Sequence, residues 1–116
     1  MMDRSIFLVQ TNAKPGQEAQ FNEWYTYHHL PEILALPGFV AAQRFELSGV
    51  RRDSDVVLYP YRYLAVYDLD QPVHDANRTL TELSKSASPL STTPAMAHQR
   101  TGEFFTAISD RIVSRG

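Results

Sequence analysis

The 116 residues carry 11 Lys and Arg against 13 Asp and Glu, a formal net charge of -2. That length bounds residues 1–116 to a single domain, and that charge offers no electrostatic footprint for nucleic acid. The absence of cysteine excludes disulfides, thiolate metal sites and cysteine nucleophiles.

Ile6, Phe7, Leu8 and Val9 form an apolar run too short for a signal-peptide core or a membrane span. A cytoplasmic protein without a membrane partner is therefore expected. The same run places a strand at residues 5–11, apolar on both faces as in a layered sheet. Pro15-Gly16 punctuates a loop, and Gln17 opens a helix. There Ala19, Phe21, Trp24, Tyr25, His28 and His29 recur mostly at spacings of three and four, one apolar-aromatic stripe. Pro31 has no N–H and collides with the Tyr27 carbonyl, so the helix is expected to kink or end near Leu30 and free that carbonyl. A further short turn is expected over 33–36.

Pro37-Gly38 turns the chain into a strand over 39–48. One parity carries Phe39, Ala41, Gln43 and Phe45; the other carries Val40, Ala42, Arg44 and Glu46. A polar turn follows over 49–55, then an apolar run over 56–59 that Pro60 interrupts. A third strand over 61–69 sets Tyr61, Tyr63, Ala65 and Tyr67 against Arg62, Leu64, Val66 and Asp68. Asp70 or Gln71 caps a second helix with Pro72 in its first turn, and Val73, Ala76, Leu80 and Leu83 make its buried stripe. A Ser/Thr/Pro-rich loop over 84–93 precedes the last strand, 101–108.

Strand, helix, strand, strand, helix, strand is the α+β, ferredoxin-like split βαβ with a four-stranded antiparallel sheet. Helices cover one face of such a sheet. The other face is also apolar here, which predicts a homodimer through the open face.

The pattern Trp24-Tyr25, His29, Leu30-Pro31-Glu32, then Pro37-Gly38-Phe39 and Ala42-Gln43-Arg44-Phe45, resembles the dimeric α+β barrel superfamily, most closely its EthD-like branch. The sharp part spans about 25 residues; beyond it the likeness rests on element order. The resemblance implies a subunit that pairs with a second copy into a closed barrel, with a small pocket between helices and sheet. It also matches His29 to the family's helix histidine. Superfamily members include cofactor-free monooxygenases, polyketide cyclases, isomerases and haem-degrading enzymes, so the resemblance specifies fold more closely than reaction.

An imidazole titrates near neutral pH, which makes His29 the candidate general base and acid. The competing reading is a half-buried structural histidine. Tyr25 is the candidate hydrogen-bond donor to a developing enolate or phenolate. Asn22, Arg44, Tyr63 and Tyr67 are candidate substrate-binding residues. Arg44 either anchors an anionic substrate or, slightly preferred, pairs with Asp68 or a carboxylate near Glu46. Trp24 is read as core, and His28 as a surface or interface histidine about 100° around the helix from His29. His28 and His29 stand at metal-compatible spacing from Glu32, but Pro31 intervenes and no ligand cluster accompanies them, so no metal site is expected. No cofactor is expected either, with haem on His29 or His98 a minor alternative. No Gly-rich loop, G-x-S-x-G or H-E-x-x-H is present.

These residues suit an enzyme that moves a proton at carbon on an aromatic or polyketide-like small molecule, as a cyclase, isomerase or monooxygenase. A metabolite-binding or accessory protein of a degradation pathway is the alternative.

Overall fold

The structure, a computed structural model, describes residues 4–52 and 58–116. Strand β1 (Ser5–Thr11) leads to helix α1 (Glu18–Trp24), a π-helical turn (Tyr25–His29) and α2 (Leu30–Leu34). Then come β2 (Phe39–Glu46), β3 (Tyr63–Leu69), α3 (Val73–Ser84) and β4 (Thr101–Thr106). The strands lie in the order β2-β3-β1-β4, and every pairing is antiparallel. This is the ferredoxin-like α+β arrangement that the order of elements predicts.

Alternation along β3 defines the two faces. Tyr63, Ala65, Tyr67 and Leu69 are buried, while Leu64, Val66 and Asp68 between them are half-buried. The buried set meets Phe21, Tyr25 and Ile33 from the first helical segment and Ala76 from α3 in one core. On the outer face Phe45, which opposes Leu64, and Phe105, which opposes Ile6, are exposed. Ile6 and Leu8 are only half-buried, so within one chain the expected cover on both faces of β1 is incomplete.

The first helix departs most from expectation. It does not end at Pro31. The Leu30 N–H reaches back five residues to the Tyr25 carbonyl, and the chain continues helically to Leu34. A wider turn spreads the ladder, so the proline ring is accommodated by a π turn rather than by a break.

Strand β2 also departs from simple alternation. Phe39 opposes Leu69 and Ala41 opposes Asp68, so an extra residue is taken up there. This bulge shifts the register and brings Ala42 and Arg44, of the opposite sequence parity, onto the helix-facing side with Phe39. Gly38 turns the chain into β2 at φ +85°, a conformation open chiefly to glycine. Its carbonyl accepts from the Asp70 N–H at 3.1 Å, and the Gln71 amide donates to the Pro37 carbonyl at 3.0 Å.

Strand β3 starts at Tyr63 rather than Tyr61 because the Asn12 side chain takes the preceding backbone. It donates to the Pro60 carbonyl and accepts from the Arg62 N–H, both at 2.8 Å. Residues 56 and 57 of the apolar run lie outside the described residues, and Leu58 and Tyr59 belong to no strand. Pro72 itself occupies the cap of α3, with no side-chain cap from Asp70 or Gln71. The strands β2 and β4 stop at Glu46 and Thr106, two residues short of expectation each. Among the described residues no helix is long and apolar enough to cross a membrane.

Candidate active site

The π turn shapes the site. In a regular α-helix, residues five apart stand about 140° apart around the axis and do not meet. Here the widened turn stacks Trp24 and His29, five apart, with ring centroids at 4.7 Å and planes at 18°. Tyr25 closes the other side of the imidazole edge-on, at 4.8 Å and 84°. The His29 side chain is left 17% exposed.

Glu32 sits one turn further on. Its Oε1 lies 3.6 Å from His29 Nδ1, outside hydrogen-bond range, and that buried nitrogen has no hydrogen-bond partner among the described residues. The carboxylate is held from the other side: the Ser91 N–H donates to Oε2 at 3.0 Å and the Ser91 hydroxyl to Oε1. The Trp24 indole N–H donates to the same hydroxyl at 3.3 Å. Ser91 thus fastens the 84–93 loop to the helix beside His29. A second tie comes from Lys14 N–H to the Ala95 carbonyl at 2.7 Å, next to an antiparallel bridge between Ala13 and Met96.

Between the loop, the helices and the sheet lies a cavity of about 510 Å³. His29, Tyr25, Tyr67 and Trp24 line it, with Leu80 and Leu90 among the apolar walls. The Tyr25 and Tyr67 hydroxyls, both from buried residues, are 3.2 Å apart. One donates to the other, which leaves one phenolic proton of the pair without an acceptor among the described residues.

Electrostatics set the protonation states. Burial pushes the His29 pKa below the ordinary 6.5, and the nearby Glu32 only partly offsets it, so the imidazole is neutral at pH 7. Desolvation raises both Tyr25 and Tyr67, and the neighbouring Tyr25 pushes Tyr67 the same way, so both phenols keep their protons. For Glu32 desolvation acts upward, but the two Ser91 hydrogen bonds together with His29 outweigh it, and the carboxyl stays ionised.

The candidate residues fall into two groups. His29, Tyr25 and Tyr67 line the cavity; Asn22, Arg44 and Tyr63 do not. Arg44 pairs with no carboxylate among the described residues, which corrects the ion-pair reading. Glu46 is taken by Arg62 at 2.7 Å, and Asp68 by Arg4 at 2.8 Å. Arg44 instead donates to Thr26 Oγ1 and Asn22 Oδ1, both at 3.0 Å. Its guanidinium lies 4.5 Å from the Tyr25 ring centre. The Asn22 amide in turn donates to the Tyr63 hydroxyl at 3.3 Å. This network braces the back of Tyr25.

Trp24, read from the sequence as core, packs half-buried against the core and forms cavity wall as well. His28, His74 and His98 are exposed and line no part of the cavity. Among the described residues no three His, Asp or Glu side chains converge on a possible metal position. Two participants escaped the sequence reading: Ser91, in a loop without a motif, and Arg100, a lone cation just before β4 that lines the cavity.

No protein-family model and no curated protein matches the chain. Among solved structures it is similar to the crystal structure of an ethyl tert-butyl ether (EthD) family protein from Bacillus halodurans C-125. The two share 13% identity and a TM-score of 0.50, over 90% of this chain and 97% of the other. At that identity the likeness is one of fold, which is EthD-like.

Proposed function

We propose that this chain is a small-molecule enzyme that moves a proton at carbon without a bound cofactor, with His29 as acid and base. One observation carries the reading: a neutral, half-buried imidazole on the wall of a sizeable cavity, beside a hydroxyl pair with a proton to spare. The reading assigns the proton to Nδ1, on the side of ionised Glu32 3.6 Å away, and leaves the Nε2 lone pair as the free base. It takes the proton from a carbon next to a carbonyl, and the electron pair moves onto the carbonyl oxygen. The spare phenolic proton of the Tyr25–Tyr67 pair hydrogen-bonds that oxygen as charge develops. Imidazolium then returns the proton at the same or another atom, as a cyclase or isomerase requires.

The test is solvent exchange. Incubated in D2O with aryl-substituted keto acids and 1,3-dicarbonyls, the protein is expected to accelerate loss of the α-proton signal over buffer. Binding without exchange would instead identify a metabolite-binding or accessory protein.

The reading carries a pH dependence. The base form of His29 persists below the ordinary 6.5, so the acid limb of the rate profile lies below that pH. Stability follows the same group. The unfolded chain binds a proton at about the ordinary pKa and the native ring resists it. The His29 contribution is therefore complete above 6.5 and is lost as pH falls from there through the depressed native value. An acid limb above 6.5 would contradict the assignment.

A second copy is proposed to cover the open sheet face, forming a dimeric barrel. Phe45 and Phe105, each about half exposed on that face, support it. Sedimentation equilibrium is expected to give twice the 13.2 kDa chain mass, and a monomer at micromolar concentration would contradict it.

A further inference from the structure

We propose that the cavity takes an apolar or aromatic molecule bearing one carboxylate, and that Arg100 is the residue that receives the carboxylate at the rim. The proposal deepens the reading of the same cavity by giving the substrate a charge.

Charge on the cavity wall carries the argument. Among the described residues its lining includes no Asp or Glu. His29 is neutral at pH 7, which leaves Arg100 as the wall's full charge among the described residues. Arg100 is exposed, and among the described residues no carboxylate comes within ion-pair distance of it. Arg4, Arg62 and Arg78 each pair with a carboxylate, and Arg44 is committed to Asn22 and Thr26. Arg100 is therefore the cation placed to meet a ligand, with a planar fork that matches a carboxylate.

The remainder of the wall fits the remainder of such a ligand. Trp24, Leu80, Leu90 and Met96 supply apolar surface, and Tyr25, Tyr67 and His29 line the same cavity. The Arg100 charge is felt at both His29 and Tyr25, where it acts to lower each pKa, so the cation and the proposed chemistry share one compartment. A volume of about 510 Å³ suits a one- or two-ring molecule. The Glu32 carboxylate stays off this surface because Ser91 occupies both its oxygens.

A matched pair of probes tests the charge alone: 4-methylbenzoate and its neutral isostere 4-methylbenzamide. Calorimetry measures binding, and so does the fluorescence of Trp24, the chain's single tryptophan and part of the wall. The acid is expected to bind about tenfold more tightly than the amide. Arg100→Gln is expected to erase that preference by weakening the acid and sparing the amide. Raised salt should weaken the acid only. His29→Gln should keep the preference, so failure of the base assignment and failure of this proposal read out separately. Equal affinities in the unmodified protein, a preference that survives Arg100→Gln, or no binding of either probe would overturn it.

Discussion

Phe21→Ala is expected to cost about 3–5 kcal/mol of stability, a large fraction of what a domain this size commonly has. Phe21 is fully buried at the centre of the aromatic cluster. Its ring meets Tyr25 edge-on at 5.7 Å and Tyr63 at 5.4 Å, and Trp24 lies at 6.5 Å. The Arg44 guanidinium lies 5.5 Å from its ring centre. Truncation removes the transferred surface and leaves a void that rigid rings cannot collapse into. Urea unfolding measures the loss as a lower midpoint. Phe21→Leu, which keeps most of the volume, should recover much of it. A loss under about 1 kcal/mol for the alanine variant would show that the helix does not pack on the sheet in this way.

His29→Gln is expected to lower the proton-transfer rate by about 10²–10⁴-fold, the range a positioned acid–base group supplies. Glutamine keeps a flat polar group against the Trp24 ring but has no titratable nitrogen near neutrality. The fold should survive, because His29 Nδ1 makes no hydrogen bond whose loss would matter. An unchanged thermal midpoint with a collapsed rate separates a chemical role from a structural one. Glu32 acts through His29 and Ser91, so Glu32→Gln should have the smaller effect on rate.

Most of the architecture was legible because strands and helices in this chain alternate with clear periods. Val73, Ala76, Leu80 and Leu83 recur at helical spacing, and the β3 alternation survives intact in the burial of Tyr63, Ala65, Tyr67 and Leu69. What escaped were departures from period. A proline in a helical pattern reads as a kink or a stop, and nothing local distinguishes either from a π turn. That turn alone brings Trp24 onto His29, so a residue that packs against the core is cavity wall as well. The bulge after Phe39 likewise moves Arg44 onto the helix-facing side. Arg44 looked like an ion-pair partner or a ligand anchor because a mid-strand cation needs an acceptor, and neutral oxygens of Asn22 and Thr26 answer that need. Ser91 and Arg100 were beyond sequence reasoning because they reach the site through long-range contacts from a segment without a motif.

His29 remains the residue on which the account stands. The most direct measurement follows α-proton loss from one carbon acid in D2O by proton NMR, with the unmodified protein and the His29→Gln variant at equal concentration. The account predicts exchange well above buffer for the first and a rate at least about a hundredfold lower for the second. Equal rates for the two proteins would contradict it.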